Sequence, residues 1–173
     1  LSNAAADNSG LLTLLELART QRLSVMDLLK SAENFGLQGK RHEAVQLYKM
    51  WLAFNEAHPA IQMVYFNYSV LLRELDDVPG SIAAMQAAIK NDALFGPAHI
   101  NLGRAYENSG MAPLAIQQWQ TYVTGTKETT ADLLSFRVMA LQHIGRVMEN
   151  AGLMEEAETP LFQAMELRPD KME

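Results

Sequence analysis

The chain has 173 residues, 49% of them hydrophobic and 20% charged, with a net charge of −6. That balance suits one sizeable domain or one solenoid, and its acidity speaks against nucleic acid, which draws a basic stripe. Cysteine is absent, which excludes disulfides, a thiolate zinc site and a cysteine nucleophile.

Ser2-Asn3-Ala4 has the form of a cleaved purification-tag scar, so residues 1–9 are expected to be scar and disordered N-terminus. Leu11 to Ala18 predicts a short helix with Ser9 as N-cap. Its apolar face is too wide for a free surface helix, so residues 10–24 are expected to form a cap on the helices after them. An interfacial membrane helix is the rival reading, but the basic flank is only Arg19 and Arg22. No apolar run approaches the ~20 residues of a membrane span. Helices are next expected near Val25–Leu37 and Arg41–Ala57, ended by His58-Pro59, then near Ala60–Leu75 and Pro79–Lys90 around an Asp76-Asp77-Val78-Pro79 turn.

The stretch from Ala98 to Trp119 reads as a helical hairpin. Leu102 and Tyr106 lie four apart on one helix face, and Gly103 beside them lets a second helix come close. Gly110 is the natural left-handed stop, and Pro113 is tolerable only in the first turn of the next helix. Ala115 then offers a small contact point and Trp119 covers the same face, while Gln117 and Gln118 should face outward. Thr124 to Thr130 reads as a polar loop. A long helix near Ala131–Asn150 and a last one over Met154–Leu167 complete the pattern.

The cassette recurs. A small residue of the first helix marks each copy: Ala32, Ser69, Gly103 and Gly145. Twelve positions later stand Ala44, Ser81, Ala115 and Ala157, and sixteen later Tyr48, Met85, Trp119 and Leu161. The last copy adds Gly152, Ala164 and Leu167-Arg168-Pro169. Four such copies near a 34-residue period resemble tetratricopeptide repeats, roughly from Val25 to Pro169. The resemblance implies an all-α, right-handed superhelical solenoid of about four helical hairpins behind an N-terminal capping helix. Its repeats would cover residues 25–59, 60–95, 96–130 with the polar loop, and 131–173. The markers are spaced 69 − 32 = 37, 103 − 69 = 34 and 145 − 103 = 42. Nineteen after each marker come Trp51, Ala88, Tyr122 and Ala164. A ring there would hold the next helix off, so the superhelix is expected to be irregular after repeats one and three.

No catalytic constellation is legible. His42, His58, His99 and His143 are scattered, without metal spacing. Gly36 to Lys40 lacks the spacing and preceding strand of a phosphate loop and reads as a hairpin turn. There is no Gly-x-Ser-x-Gly elbow, and Glu155, Glu156 and Glu158 fall on a helix surface. Asn67-Tyr68-Ser69 matches a glycosylation acceptor but sits mid-helix with Ser69 at a packing position. Met85 and Met165 fit core positions. The chain is therefore expected to be no enzyme and to take no cofactor or metal.

Stacked hairpins present a surface, and their first helices line its concave side. Positions two before and one, four and five after each marker should face that groove. They are Lys30, Glu33, Gly36 and Leu37; Asn67, Val70, Arg73 and Glu74; Asn101, Arg104, Glu107 and Asn108; and His143, Arg146, Glu149 and Asn150. The candidate peptide-binding set is Asn67, Arg73, Asn101, Arg104, Asn108, His143, Arg146 and Asn150. An Asn amide donates and accepts at once, which suits a peptide backbone, and Arg104 and Arg146 suit a carboxylate or carbonyl.

The stretch from Tyr65 to Leu75, with Ile144-Gly145-Arg146 and Glu156-Ala157-Glu158, is similar to the repeat region of bacterial SPINDLY-like proteins. These resemble O-linked N-acetylglucosamine transferases, whose superhelix carries a ladder of Asn residues that holds acceptor proteins. That resemblance implies a substrate-recruiting repeat region of a larger glycosyltransferase-like protein. Asn67 and Asn101 match the ladder position; Lys30 and His143 do not. The alternative is a free-standing adaptor, co-chaperone or envelope-complex scaffold. A chaperone-tail carboxylate clamp would want Lys and Asn where Leu29 and Glu33 stand. The expected partner is a protein or peptide, with no nucleic acid and no membrane, and the expected location is cytoplasmic. The last helix carries Leu161, Phe162, Met165 and Leu167, so the sequence is expected to be a piece of a longer protein whose final helix self-associates at high concentration.

Overall fold

The computed structural model describes residues 2–127 and 130–167, with backbone alone for residues 2–9. Nine helices and no strand occur among the described residues. The first compact unit, Leu1–Asn91, holds α1 (Ser2–Arg19), α2 (Val25–Leu37), α3 (Arg41–Phe54), α4 (Ile61–Glu74) and α5 (Val78–Asn91). The second, Asp92–Glu173, holds α6 (Gly96–Asn108), α7 (Ala112–Gly125), α8 (Ala131–Asn150) and α9 (Met154–Glu166). The division falls between α5 and α6.

In the first unit α1 packs on α3, α2 on α3, and α4 on α5, while α3 and α2 both meet α4. Leu28, Ala44, Leu47, Trp51 and Val64 form its fully buried centre. Ser24 starts α2 as a cap: its hydroxyl oxygen accepts from the Asp27 N–H at 3.1 Å, and its O–H donates to the Asp27 carboxylate at 2.6 Å. The Trp51 indole N–H donates to the Leu23 carbonyl at 2.9 Å. Asn55 donates to the carbonyls of Ala18 and Trp51 at 3.2 and 2.8 Å, so these two residues tie the end of α1 to α3. Asn55 also ends α3 sooner than His58-Pro59 would, because its side chain satisfies a last-turn carbonyl that another turn of helix would have used.

In the second unit α6 packs on α7, α7 on α8 and α8 on α9, and α6 meets α8. Its core gathers Ile100, Ala115, Trp119, Tyr122, Ile144 and Val147. A methyl at Gly103 would lie 2.2 Å from Trp119 Nε1, and one at Gly145 would lie 2.4 Å from Leu161 Cγ. The marker glycines are what let these hairpins close. In repeat two a polar pair does the same work, the Ser81 hydroxyl donating to the Ser69 carbonyl at 2.8 Å.

Several boundaries and placements differ from expectation. α1 begins at Ser2, so Ser9 lies inside the helix and is not its cap. α7 continues through Thr124 and Gly125, because Thr residues there satisfy themselves on their own helix: Thr124 Oγ1 donates to the Gln120 carbonyl at 2.9 Å. Met165 is 51% exposed rather than core. Arg168 and Pro169 of the last-copy motif lie outside the described residues.

Candidate functional site

In the first unit the first helices of repeats one and two, α2 and α4, meet side by side. Glu33, Gly36 and Leu37 from α2 and Asn67, Val70 and Glu74 from α4 line one cavity of about 520 Å³. Leu29, Ala32 and Leu71 supply further apolar wall, and α3 contributes Arg41 and Tyr48. Lys30 and Arg73 are exposed and are not among its lining residues.

The polar groups of this groove are unevenly committed. Arg41 Nε lies 3.7 Å from the Glu74 carboxylate with both side chains about half exposed, a pairing that water screens heavily. Asn67 gives one amide hydrogen to the Met63 carbonyl of its own helix at 2.8 Å. Its Oδ1 and one N–H remain, so the donor–acceptor amide expected from sequence is partly spent. The Tyr48 ring packs 5.5 Å from that of Tyr68, tilted by 34°. Burial, reinforced by the Glu33 carboxylate, pushes the Tyr48 hydroxyl up to about 12, so the phenol keeps its proton at any physiological pH. Glu33 is exposed and makes no hydrogen bond or ion pair with the described residues.

In the second unit the expected groove positions are partly taken by each other. The Arg146 guanidinium on α8 donates twice to the Glu107 carboxylate on α6, at 2.8 and 2.7 Å. This fork-to-fork geometry uses the face that was expected to grip a partner's carboxylate. It arises because the position four after one marker meets the position one after the next. The pair holds the Glu107 carboxyl below its ordinary range, chiefly through those hydrogen bonds, and raises Arg146. His143 stacks on Trp119, centroids 4.9 Å apart and planes 14° off parallel. Burial first, then Arg146 and Arg104, hold its imidazole below the ordinary histidine value. Arg104 is exposed and makes no hydrogen bond or ion pair with the described residues. Asn101 is half-buried; Asn108 and Asn150 are exposed. Asn67 belongs to one unit and Asn101 to the other.

Sequence reasoning missed Tyr48 and Arg41 as groove residues. Tyr48 stands at the bulky packing position of its hairpin, and nothing in the sequence tells that this buried ring also lines the cavity. Gln118 does not face outward as expected: its side-chain amide lies 2.7 Å from His99 Nδ1. Of the other histidines, His58 meets Trp51 edge-on at 5.2 Å, and His42 is exposed. No three His, Cys, Asp or Glu side chains gather for a metal among the described residues, and no helix among them is long and apolar enough to cross a membrane. A second cavity of about 690 Å³ runs along α9 beside Leu161, Phe162 and Met165, with Phe162 60% exposed.

No protein-family model and no protein of curated function matches the sequence. Solved structures do: 88 chains match, a breadth that marks a widely used fold rather than one function. The crystal structure of MamA is 21% identical, with 93% of this chain and 88% of that chain covered and a TM-score of 0.67. The C-terminal part of a TPR repeat-containing protein from Cytophaga hutchinsonii is 18% identical over 95% of this chain and 60% of that one, with a TM-score of 0.68. A Podosopora anserina protein of kinesin light chain type, with nearly identical TPR-like repeats, is 15% identical over 96% and 90%, with a TM-score of 0.62. The fold of this chain is the all-α tetratricopeptide-repeat fold.

Proposed function

We propose that the chain is a protein-interaction module that holds an extended segment of a partner protein against the first-helix faces of its repeats. The observation that carries this reading is the cavity between α2 and α4. Six of the eight groove positions in repeats one and two line it, and they combine an apolar floor with hydrogen-bonding groups at the rim. Such a surface suits a peptide, whose side chains need a dry floor and whose backbone needs donors and acceptors. A carrier of this kind serves a free-standing adaptor. It equally serves the finer reading, in which the segment held is an acceptor for a glycosyltransferase domain, with Asn67 and Asn101 as contacts.

The test is photocrosslinking in the source cells, with a benzophenone amino acid placed at Leu37, inside the groove, or at Gln46, on the exposed side of α3. Adducts at Leu37 that are absent at Gln46 are expected. Adducts confined to Gln46, or the same adducts from both, contradict the groove as the binding face.

A further inference from the structure

Resting on that reading, we infer that the groove between α2 and α4 selects an extended peptide that pairs aliphatic side chains with a lysine or arginine. The floor sets the first half of the specificity. Leu29, Leu37, Val70 and Leu71 line the cavity, and Leu37 leaves 81% of its surface exposed there. The rim sets the second half. Among the described lining residues two carboxylates stand against one cation: Glu33 makes no ion pair with them, and Arg41 already leans on Glu74, while Asn67 gives one amide hydrogen to its own helix.

A cationic side chain entering here would find the exposed Glu33 carboxylate on the same cavity wall, which an ammonium or guanidinium fills with charge-assisted hydrogen bonds. An acidic side chain would face Glu33 and Glu74 with only the partly neutralised Arg41 to meet it. Charge complementarity thus favours a basic segment, and the chain's overall charge of −6 steers the same way.

The experiment uses two fluorescein-labelled extended heptapeptides, one alternating leucine with lysine, the other leucine with glutamate, titrated against the full chain by anisotropy. The lysine peptide is expected to bind at least about tenfold more tightly, and less so as salt rises. Glu33→Gln should weaken the lysine peptide about tenfold, and Glu33→Lys should reverse the preference. Val70→Arg, which fills the groove, should abolish binding of both. If that variant loses its helical circular dichroism, Leu37→Arg, at a largely exposed position of the same wall, replaces it. Equal binding of both peptides that Val70→Arg abolishes, or indifference to Glu33→Gln, overturns the basic-segment inference and leaves the groove standing. Binding that survives the groove-filling variant, or no binding of either peptide, overturns both.

Discussion

His99 is a buried imidazole whose two nitrogens are both spoken for. One faces the Ala93 carbonyl at 3.1 Å and the other the Gln118 amide at 2.7 Å, so the neutral tautomer with hydrogen on Nε2 satisfies both. Burial is the main influence on it and holds it below the ordinary histidine value, against smaller upward pulls from Ala93, Gln118 and Asp92. His143 is lowered too. A histidine whose folded value is depressed binds more protons when unfolded. Its stabilising contribution is complete above the unfolded value of about 6.5 and is lost as pH falls below it. The thermal midpoint should therefore drop between pH 7.5 and 5, and His99→Gln should flatten that slope while lowering the midpoint at pH 7.5. A slope unchanged in the variant would put the pH dependence elsewhere. The Glu107–Arg146 pair acts in a different window, its contribution persisting above the ordinary carboxylate value of 4.5 and fading below it. None of this is legible in the sequence: His99 and Gln118 are nineteen residues apart, and only the fold brings them together.

Each repeat stops its first helix in the same way. Seven residues after each marker stand Gly39, Asp76, Gly110 and Gly152, all left-handed, with φ of 74, 59, 75 and 78°. The next N–H reaches back to the carbonyl of Phe35, Leu72, Tyr106 or Met148, at 2.8 to 3.0 Å, the 6→1 bond of a Schellman motif. Gly110 is readable as such a stop because glycine advertises the conformation. Asp76 is not, since an aspartate there reads as part of any turn. It also adopts the strained region at a cost that glycine avoids. Asp76→Gly should raise stability by about 0.5–1 kcal/mol, measured as a higher denaturant midpoint at unchanged slope; a lower midpoint would mean that the Asp76 side chain contributes more than its backbone costs. The helix ends that differ from expectation share a cause. Asn55 and Thr124 bond to their own helices, and polar side chains that satisfy the backbone either end a helix or extend it, with no sign in the sequence of which.

Across the whole molecule the repeats are the legible part. Small residues at the marker and twelve positions later are buried in every copy, because the close approach of two helices admits nothing larger. The site is half legible: a periodic pattern tells which side of a helix faces a groove, but not which of its charges neutralise one another. Glu107 and Arg146 read as two separate groove groups and are one ion pair, whereas Glu33, outside the expected binding set, lines the α2–α4 groove with no ion pair among the described residues. Amide chemical shifts of the labelled chain, titrated with an equimolar pool of the two heptapeptides, locate the binding face without any dependence on charge preference. If the groove holds the peptide, saturable shifts concentrate in α2 from Leu29 to Leu37 and in α4 from Asn67 to Glu74. Shifts confined to α9 around Phe162, or spread over the exposed faces of α3 and α5, would contradict it.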